Sequence, residues 1–359
     1  MPEIRKEIEA RERKGLSAWA TQASRSQGRC DLEEPDPIRT IFMVDRDRVV
    51  HSKSFRRLKH KTQVFIAPQD DHYRNRLIHT LEVNQIARTI GTALNLNLDL
   101  IEAVALAHDV GHTPFAHAGE QSLNQLLSAG FKHNENSIRV LTRLEKGKNR
   151  EGLNLSREVL DGVLHHSGFD TDAEPASTLE GQVIKLSDKI AYVQHDIDDS
   201  IRAGLLTLAQ IPQEYIDILG DTHSKRIAAL VTDAILFTRR AMERDKEVLV
   251  RLSPPYDKAL KGLRGFMFDA IYQGPVCMAE RNRAGFVIEH LFNYYKHWPE
   301  KMSSVCQKIA DEEGLERAVA DYISGMSDAY CIAQFEKIYV PRSLVPAQEA
   351  DAPLGREIS

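Results

Sequence analysis

Apolar positions recur along this chain at the spacing of helices rather than strands. Leu77, Leu81, Ile86, Ile90 and Leu94 follow one another at intervals of four or five, which gathers them on one face of a helix turning about 100° per residue. Leu123, Leu126 and Leu127 extend the pattern downstream of Thr113-Pro114, a pair that reads as an N-cap and a first helical residue. Residues 226–249 and 281–297 are patterned in the same way. Strand-like alternation is scarce, and there is no βαβ succession, no glycine-rich phosphate loop and no internal repeat. The expected class is all-α.

Residues 1–36 are charged and then rich in Ser, Gly, Asp and Pro, so they are expected to form an N-terminal arm, a short helix followed by irregular chain, outside the core. Residues 37–202 carry the first block of helical pattern. A break containing Gly204, Pro212 and Gly220 leads into a second block, 203–340, expected to complete the same globule, and 341–359 reads as a loose tail. With 359 residues, 42% of them hydrophobic, the chain can bury a large core.

Charge narrows the functional classes. The balance of 47 basic against 52 acidic residues, a net −5, argues against a protein that coats nucleic acid. Segment 46–76 is the exception: Arg46, Arg48, Lys53, Arg56, Arg57, Lys59, Lys61, Arg74 and Arg76 face only Asp47, Asp70 and Asp71, and an anionic ligand fits there. Cys30, Cys277, Cys306 and Cys331 are far apart without a CxxC pair, which suggests neither a zinc knuckle nor a disulfide framework and agrees with a reducing cytoplasm. The opening Met1-Pro2-Glu3-Ile4-Arg5-Lys6 lacks the apolar stretch of a signal peptide, and no apolar run approaches the roughly 20 residues of a membrane span. A cytoplasmic protein with no membrane partner is expected.

The chemistry concentrates at Val104-Ala105-Leu106-Ala107-His108-Asp109-Val110-Gly111-His112, where two polar side chains close an apolar helical run. Burying them needs compensation, and a divalent metal supplies it, since imidazole nitrogen and carboxylate oxygen both ligate first-row ions. His79 and Asp188, from other helices, are further potential ligands. Two His and two Asp suit Mn²⁺, Fe²⁺, Zn²⁺, Ni²⁺ or Mg²⁺, so one divalent ion per site is expected without its identity.

Around Asp188 a second pattern appears. Asp188, Tyr192, Asp196 and Asp199 form one stripe of a helix, with Ile190, Val193, Ile197 and Ile201 opposite. An amphipathic surface helix explains this as well as a polar ligand wall does, with Lys189 beside the stripe available to a phosphate. His112, His117 and His133 crowd the segment after His108. His117 and Glu120, three residues apart, make either a general acid/base pair or an exposed helix salt link. A helix beginning at Thr113 would also aim free N–H groups at phosphate oxygens.

These residues together carry a resemblance. Asp45-Arg46-Asp47-Arg48, Phe55-Arg56-Arg57-Leu58-Lys59-His60-Lys61-Thr62-Gln63-Val64-Phe65, Arg76-Leu77-Ile78-His79-Thr80-Leu81-Glu82-Val83, the run from His108 to Glu120 and His133-Asn134-Glu135-Asn136-Ser137 resemble the HD-domain deoxynucleoside triphosphate triphosphohydrolases, in particular the bacterial deoxyguanosinetriphosphate triphosphohydrolase-like proteins. The likeness spans about residues 36–340. It implies an HD-type helical phosphohydrolase core with additional C-terminal helices, and hydrolysis of a dNTP at the α-phosphorus to deoxynucleoside and inorganic triphosphate. It further implies that His79, His108, Asp109 and Asp188 hold the metal, that Arg76 and Lys189 grip the triphosphate, and that Tyr192 and Asp196 meet the sugar 3′-hydroxyl. Gln63 would pack under the deoxyribose. His112 and His133, supported by Glu135, would face phosphate oxygens, and His117 with Glu120 would be the catalytic dyad.

Three departures stand out. The spacing around Glu135 differs by one residue from that of the more distantly similar mammalian SAM- and HD-domain dNTP hydrolase, Ala116 stands where many relatives carry Gly, and His165-His166-Ser167-Gly168-Phe169 replaces a Lys-His-Asn-Gly type of sequence. The resemblance also implies a homo-oligomer, dimer or hexamer, with nucleotide or single-stranded DNA as a possible effector. The competing readings are an HD phosphohydrolase acting on another nucleotide or phosphomonoester, and a nucleotide-sensing or nucleic-acid-binding oligomer with little activity.

Overall fold

The computed structural model describes residues 4–63, 74–147, 150–168, 174–245 and 247–341. Val64, Phe65, Asp70, Asp71 and Phe169, and all but the first residue of the expected tail, lie outside the described residues. The chain is all-α: sixteen helices account for the regular structure among the described residues, beside one two-stranded hairpin pairing Lys146–Gly147 with Arg150–Glu151. None of these helices is long and apolar enough to cross a membrane.

The first half comprises α1 (Ile4–Gly15), α2 (Ile41–Val50), α3 (Lys53–Arg57), α4 (Arg76–Ala93), α5 (Leu98–Ala107), α6 (Ala116–Leu126), α7 (His133–Arg139), α8 (Arg157–Leu164) and α9 (Leu179–Arg202). The second comprises α10 (Gln213–Leu219), α11 (His223–Arg244), α12 (Pro254–Met267), α13 (Pro275–His297), α14 (Ser304–Glu313), α15 (Leu315–Ser324) and α16 (Asp328–Tyr339). α5 is the centrepiece. From Leu100 onward every residue but Glu102 is buried, because α2, α4, α8 and α9 pack around it, and a helix apolar on all sides is stable only when so enclosed.

Two apolar cores result. The larger runs through α2, α4, α5, α8, α9, α11 and α12; the smaller joins α6 to α13, α14, α15 and α16 around Phe115, Leu123, Ile288, Phe292 and Ile323. The packing therefore cuts across the 37–202 and 203–340 segmentation: α6 belongs with the C-terminal helices, and α11 and α12 belong with the first core. The loop from His108 to Phe115 lies where the two cores meet.

The N-terminal arm is bound more closely than its composition suggests. Ala23 is part of the larger core. Three acids on core helices capture the backbone around it: Glu180 accepts from Thr21 N and Oγ1, both at 2.9 Å, Glu158 accepts from Gln27 N at 2.6 Å, and buried Asp45 pairs with Arg29. Removing one partner of a buried pair costs about 3–5 kcal/mol, because the other charge is left alone. Asp45→Ala should lose stability on that scale in urea unfolding; a loss below about 1 kcal/mol, the value of a surface pair, would show that this pair does not hold the arm.

Candidate functional site

The end of α5 sets the site. His108 is fully buried and Asp109 is 3% exposed. His108 Nδ1 lies 2.6 Å from the Ala105 carbonyl oxygen, so Nδ1 carries the proton and Nε2 keeps its lone pair; Nε2 has no hydrogen-bond partner among the described residues. The turn that follows is clamped to α7. Ser137 Oγ donates to His108 O at 2.8 Å, Gly111 N donates to Ser137 Oγ at 3.0 Å, and Asn136 Nδ2 donates to Gly111 O at 2.7 Å. Position 111 admits only glycine, because a Cβ there would stand 2.1 Å from Ser137 N.

α4 and α9 bring the remaining ligand candidates to this turn. His79 Nε2 lies 3.0 Å from Asp188 Oδ1 and 3.9 Å from Asp109 Oδ2, and His108 Nε2 lies 3.6 Å from Asp109 Oδ2. Metal–ligand bonds of about 2.0–2.2 Å place neighbouring ligand atoms roughly 3.0–3.6 Å apart, which is close to this spacing. The protonation states suit a cation as well. Burial raises the Asp188 pKa, but His79 outweighs it and holds the carboxyl down to about 2. Burial also opposes ionisation of Asp109, yet His108, His112 and Arg76 keep it well below the usual carboxylate range. His79, His108 and Asp109 bring ligand atoms to one point that suits a divalent ion, and Asp188 adjoins them through His79.

A second histidine group adjoins the first. Glu120, on α6, lies between two rings: His117 Nδ1 at 3.0 Å from one oxygen and His133 Nδ1 at 2.8 Å from the other, with His133 N donating at 2.7 Å. His133 stacks on His112 with centroids 4.1 Å apart, and His112 Nε2 reaches Asp109 Oδ1 at 3.3 Å. Burial lowers the His133 pKa, but the Glu120 carboxylate more than reverses it. His112 goes the other way, lowered by burial and by Arg76. His117, its side chain 58% exposed, stands at the mouth.

The structure adds residues that the motif reading did not single out as site members. His166 is buried, its Nδ1 lies 2.6 Å from Val163 O, and its Nε2 approaches Asp109 Oδ1 at 3.8 Å. Burial and the neighbouring His108 and His133 push its pKa down to about 3, leaving a neutral acceptor aimed into the site. Its signal was its place in the unusual 165–169 segment. Lys61 is buried and donates to the carbonyls of His112 and, at 2.8 Å, of Ser324. Asp328 accepts from Thr62 N at 2.8 Å and Phe115 N at 3.0 Å, tying both flanks of the site to α16. Tyr272 stacks on Tyr192 at 6.2 Å.

Several expectations need revision. The helix does not start at Thr113-Pro114: α6 begins at Ala116, and Phe115 and Ala116 both take left-handed backbone, φ 61° and 54°, while the Thr113 hydroxyl donates to Ala116 O. The N–H groups expected near Thr113 are therefore displaced, Phe115 N going to Asp328. Ala116 is also no neutral replacement for Gly, because an L residue in that conformation costs about 1–2 kcal/mol. The α9 stripe is not a surface: Asp196 and Asp199 are buried, and burial, then Asp199, drives the Asp196 carboxyl well above its usual range. Glu135 is exposed and pairs with Lys132 at 3.0 Å; the carboxylate against His133 is Glu120. Four of the nine cations of the basic run are paired with acids among the described residues: Arg46 on Asp47, Arg48 on Glu33, Arg74 on Glu82 and Asp199, and Arg76 on Asp109.

Of the remaining expected ligand contacts, Gln63 is 5% exposed with Oε1 unpartnered among the described residues. Arg76 is 1% exposed; one guanidinium nitrogen meets Asp109 at 2.7 Å, while Nε and the other terminal nitrogen have no hydrogen-bond partner among the described residues. Burial, then Lys185, brings the Lys189 pKa down to about 8.

Residues 76–193 match the HD domain, and residues 250–337 match the phosphohydrolase-associated domain. A deoxyguanosinetriphosphate triphosphohydrolase-like protein of Clostridium tetani is 55% identical over 347 residues, covering 95% of this chain and 98% of that protein. The chain belongs to the deoxyguanosinetriphosphate triphosphohydrolase-like family. Members from Clostridium perfringens (strain 13) and Caldanaerobacter subterraneus are 54% and 49% identical, each over 94% of this chain and 98% and 96% of theirs. It is thus an HD-type phosphohydrolase whose His/Asp cluster can hold a divalent metal. The HD match ends at Val193, before Asp196, and omits Gln63, while Asp328 lies in the associated domain. Gln63 and Asp196 thus lie outside both matched segments.

Binding to the folded state alone stabilises by about 2.7 kcal/mol at one hundred times Kd. Saturating Mn²⁺ should therefore raise the thermal midpoint of the chelator-treated protein. Asp109→Ala should abolish the rise; an undiminished rise in that variant would place the metal elsewhere.

Proposed function

We propose that this family member hydrolyses deoxynucleoside triphosphates at the α-phosphorus, releasing deoxynucleoside and intact inorganic triphosphate. The family name points to deoxyguanosine triphosphate as a first substrate to test. The observation that carries the reading is Glu120 held between His117 and His133 beside the ligand cluster. Glu120 stays ionised: burial opposes this, but the two histidines lower its pKa far more. Its contact through Nδ1 orients His117 and leaves Nε2 to the substrate.

A water attacks the α-phosphorus; as its oxygen bonds to phosphorus the Pα–O5′ bond breaks, protonated His117 delivers its Nε2 proton to the departing 5′-oxygen, and the proton lost by the water passes to solvent. His133, also held by Glu120, and His112 and His166 line the phosphate region. The two unpartnered nitrogens of buried Arg76 favour an anion against it, with Lys189 completing the grip on the triphosphate. Tyr192 and Asp196 meet the 3′-hydroxyl, and Gln63 lies beneath the deoxyribose. Bound by His79, His108, Asp109 and Asp188, a divalent metal supplies Lewis-acid polarisation of a phosphoryl oxygen.

Each of the four dNTPs, alone and mixed, should be incubated with the protein and Mn²⁺ or Mg²⁺ and the products separated by anion chromatography. Triphosphate with free deoxynucleoside is expected; orthophosphate or pyrophosphate would move the reading to another nucleotide phosphohydrolase. A positioned acid contributes about 10²–10⁴ in rate, so His117→Ala should lose that much in kcat while keeping its Mn²⁺-induced stabilisation. Unchanged turnover would remove His117 from the acid's role.

A further inference from the structure

We infer that His195 and Glu82 are positioning residues that fix which nitrogen of His79 is offered to the metal. The inference rests on His79 being a ligand. An imidazole that gives Nε2 to a metal carries its proton on Nδ1, and that proton needs an acceptor when the ring is buried. His79 is 1% exposed, and what faces its Nδ1 is Nδ1 of His195, 3.4 Å away. His195, equally buried, can accept there only if its own proton sits on Nε2. That nitrogen lies 2.8 Å from Glu82 Oε2, a close charge contact rather than an aligned hydrogen bond.

The polarity of the whole row then follows. With an ion bound, anionic Glu82 faces the Nε2–H of His195, His195 Nδ1 accepts from the Nδ1–H of His79, and His79 Nε2, 3.0 Å from Asp188 Oδ1, is left with a lone pair for the ion rather than a proton for the carboxylate. Arg74 secures the far end, its Nε 3.2 Å from both Glu82 oxygens and a terminal nitrogen 2.8 Å from Asp199. Two helices build this row by one rule. On α4 the ligand and its support are His79 and Glu82, one turn apart; on α9 they are Asp188 and His195, two turns apart. Each helix therefore supplies one ligand and one support to the same face of their contact. His108 solves the same problem locally, with the Ala105 carbonyl in place of a side chain.

The decisive measurement is the Mn²⁺ dissociation constant of the full-length protein, read from the electron paramagnetic resonance signal of free Mn²⁺. Loss of such supporting groups weakens metal binding by about 10–100-fold. His195→Phe, which keeps the ring volume and removes both nitrogens, should fall in that range, and Glu82→Gln should fall at its lower end. His195→Gln, able to present an acceptor toward His79, should recover part of the loss. In ¹⁵N-histidine-labelled protein, the Nδ1-bound proton of His79 should shift in both His195→Phe and Glu82→Gln. Thermal midpoints of the metal-free variants establish that they are folded, and Glu82→Gln alone decides the matter if His195→Phe is not. Dissociation constants within about twofold of the parent, well short of that 10–100-fold range, with an unmoved Nδ1 proton would overturn the inference. The His79→Ala protein separates the two levels: undiminished Mn²⁺ binding there would mean that His79 is no ligand, whatever His195 does.

Discussion

The carboxylate of Asp109, 3% exposed at the end of an otherwise apolar helix, is the constraint around which the site is built. An isolated buried anion is too costly to persist, and here it does not stand alone: Arg76, His112, His108, His166 and His79 approach it at 2.7, 3.3, 3.6, 3.8 and 3.9 Å. Those five come from α4, from the turn after α5 and from the end of α8. Drawing them to one point needs α5 enclosed by α2, α4, α8 and α9, so the larger apolar core serves as the frame that sets these distances. The ion pair with Arg76 offsets part of the burial of Asp109, whereas the bare Nε2 atoms of His108 and His166 do not, so a divalent cation would complete the balance.

The smaller core has a different task. α6 carries His117 and Glu120 and packs on α13, while Asp328 at the start of α16 holds Thr62 N and Phe115 N. Lys61 then bonds carbonyls from both sides of the seam, His112 and Ser324. The candidate ligands therefore rest on one core and the His117–Glu120 pair on the other. Their relative placement depends on a few buried polar contacts at the seam. Substitutions at Lys61 or Asp328 touch neither ligand nor dyad, yet they act on the registration between them.

Much of this is legible in the sequence, and what is not has a physical cause. Helical spacing finds α4, because Leu77, Ile86 and Ile90 recur along a helix that packs against α5 and α9. It finds the His108-Asp109 turn because two polar residues interrupt an apolar run. Thr113-Pro114 misleads because the local capping signal is overridden by Asp328, 213 residues away from Phe115, and by two left-handed residues at 115 and 116. The α9 stripe misleads for a related reason. Alternating polar and apolar faces normally mean water on one side, but here Arg74 and Tyr272 supply polar and aromatic cover from distant segments. His166 and His195 are ordinary single histidines in sequence and acquire their meaning only from what they face.

Direction within a histidine cluster follows from its boundaries. Ala105 O, a carbonyl without a proton, requires His108 to hold its proton on Nδ1; Val163 O requires the same of His166. Both rings therefore present bare Nε2 atoms toward Asp109, and neither can donate to it while neutral. His133 is bounded instead by an anion, Glu120, against its Nδ1, which favours a proton there and draws the ring toward its cationic form. The cluster thus divides, across the stacked pair of His112 and His133, into rings that present a bare Nε2 toward Asp109 and rings whose Nδ1 faces the Glu120 carboxylate.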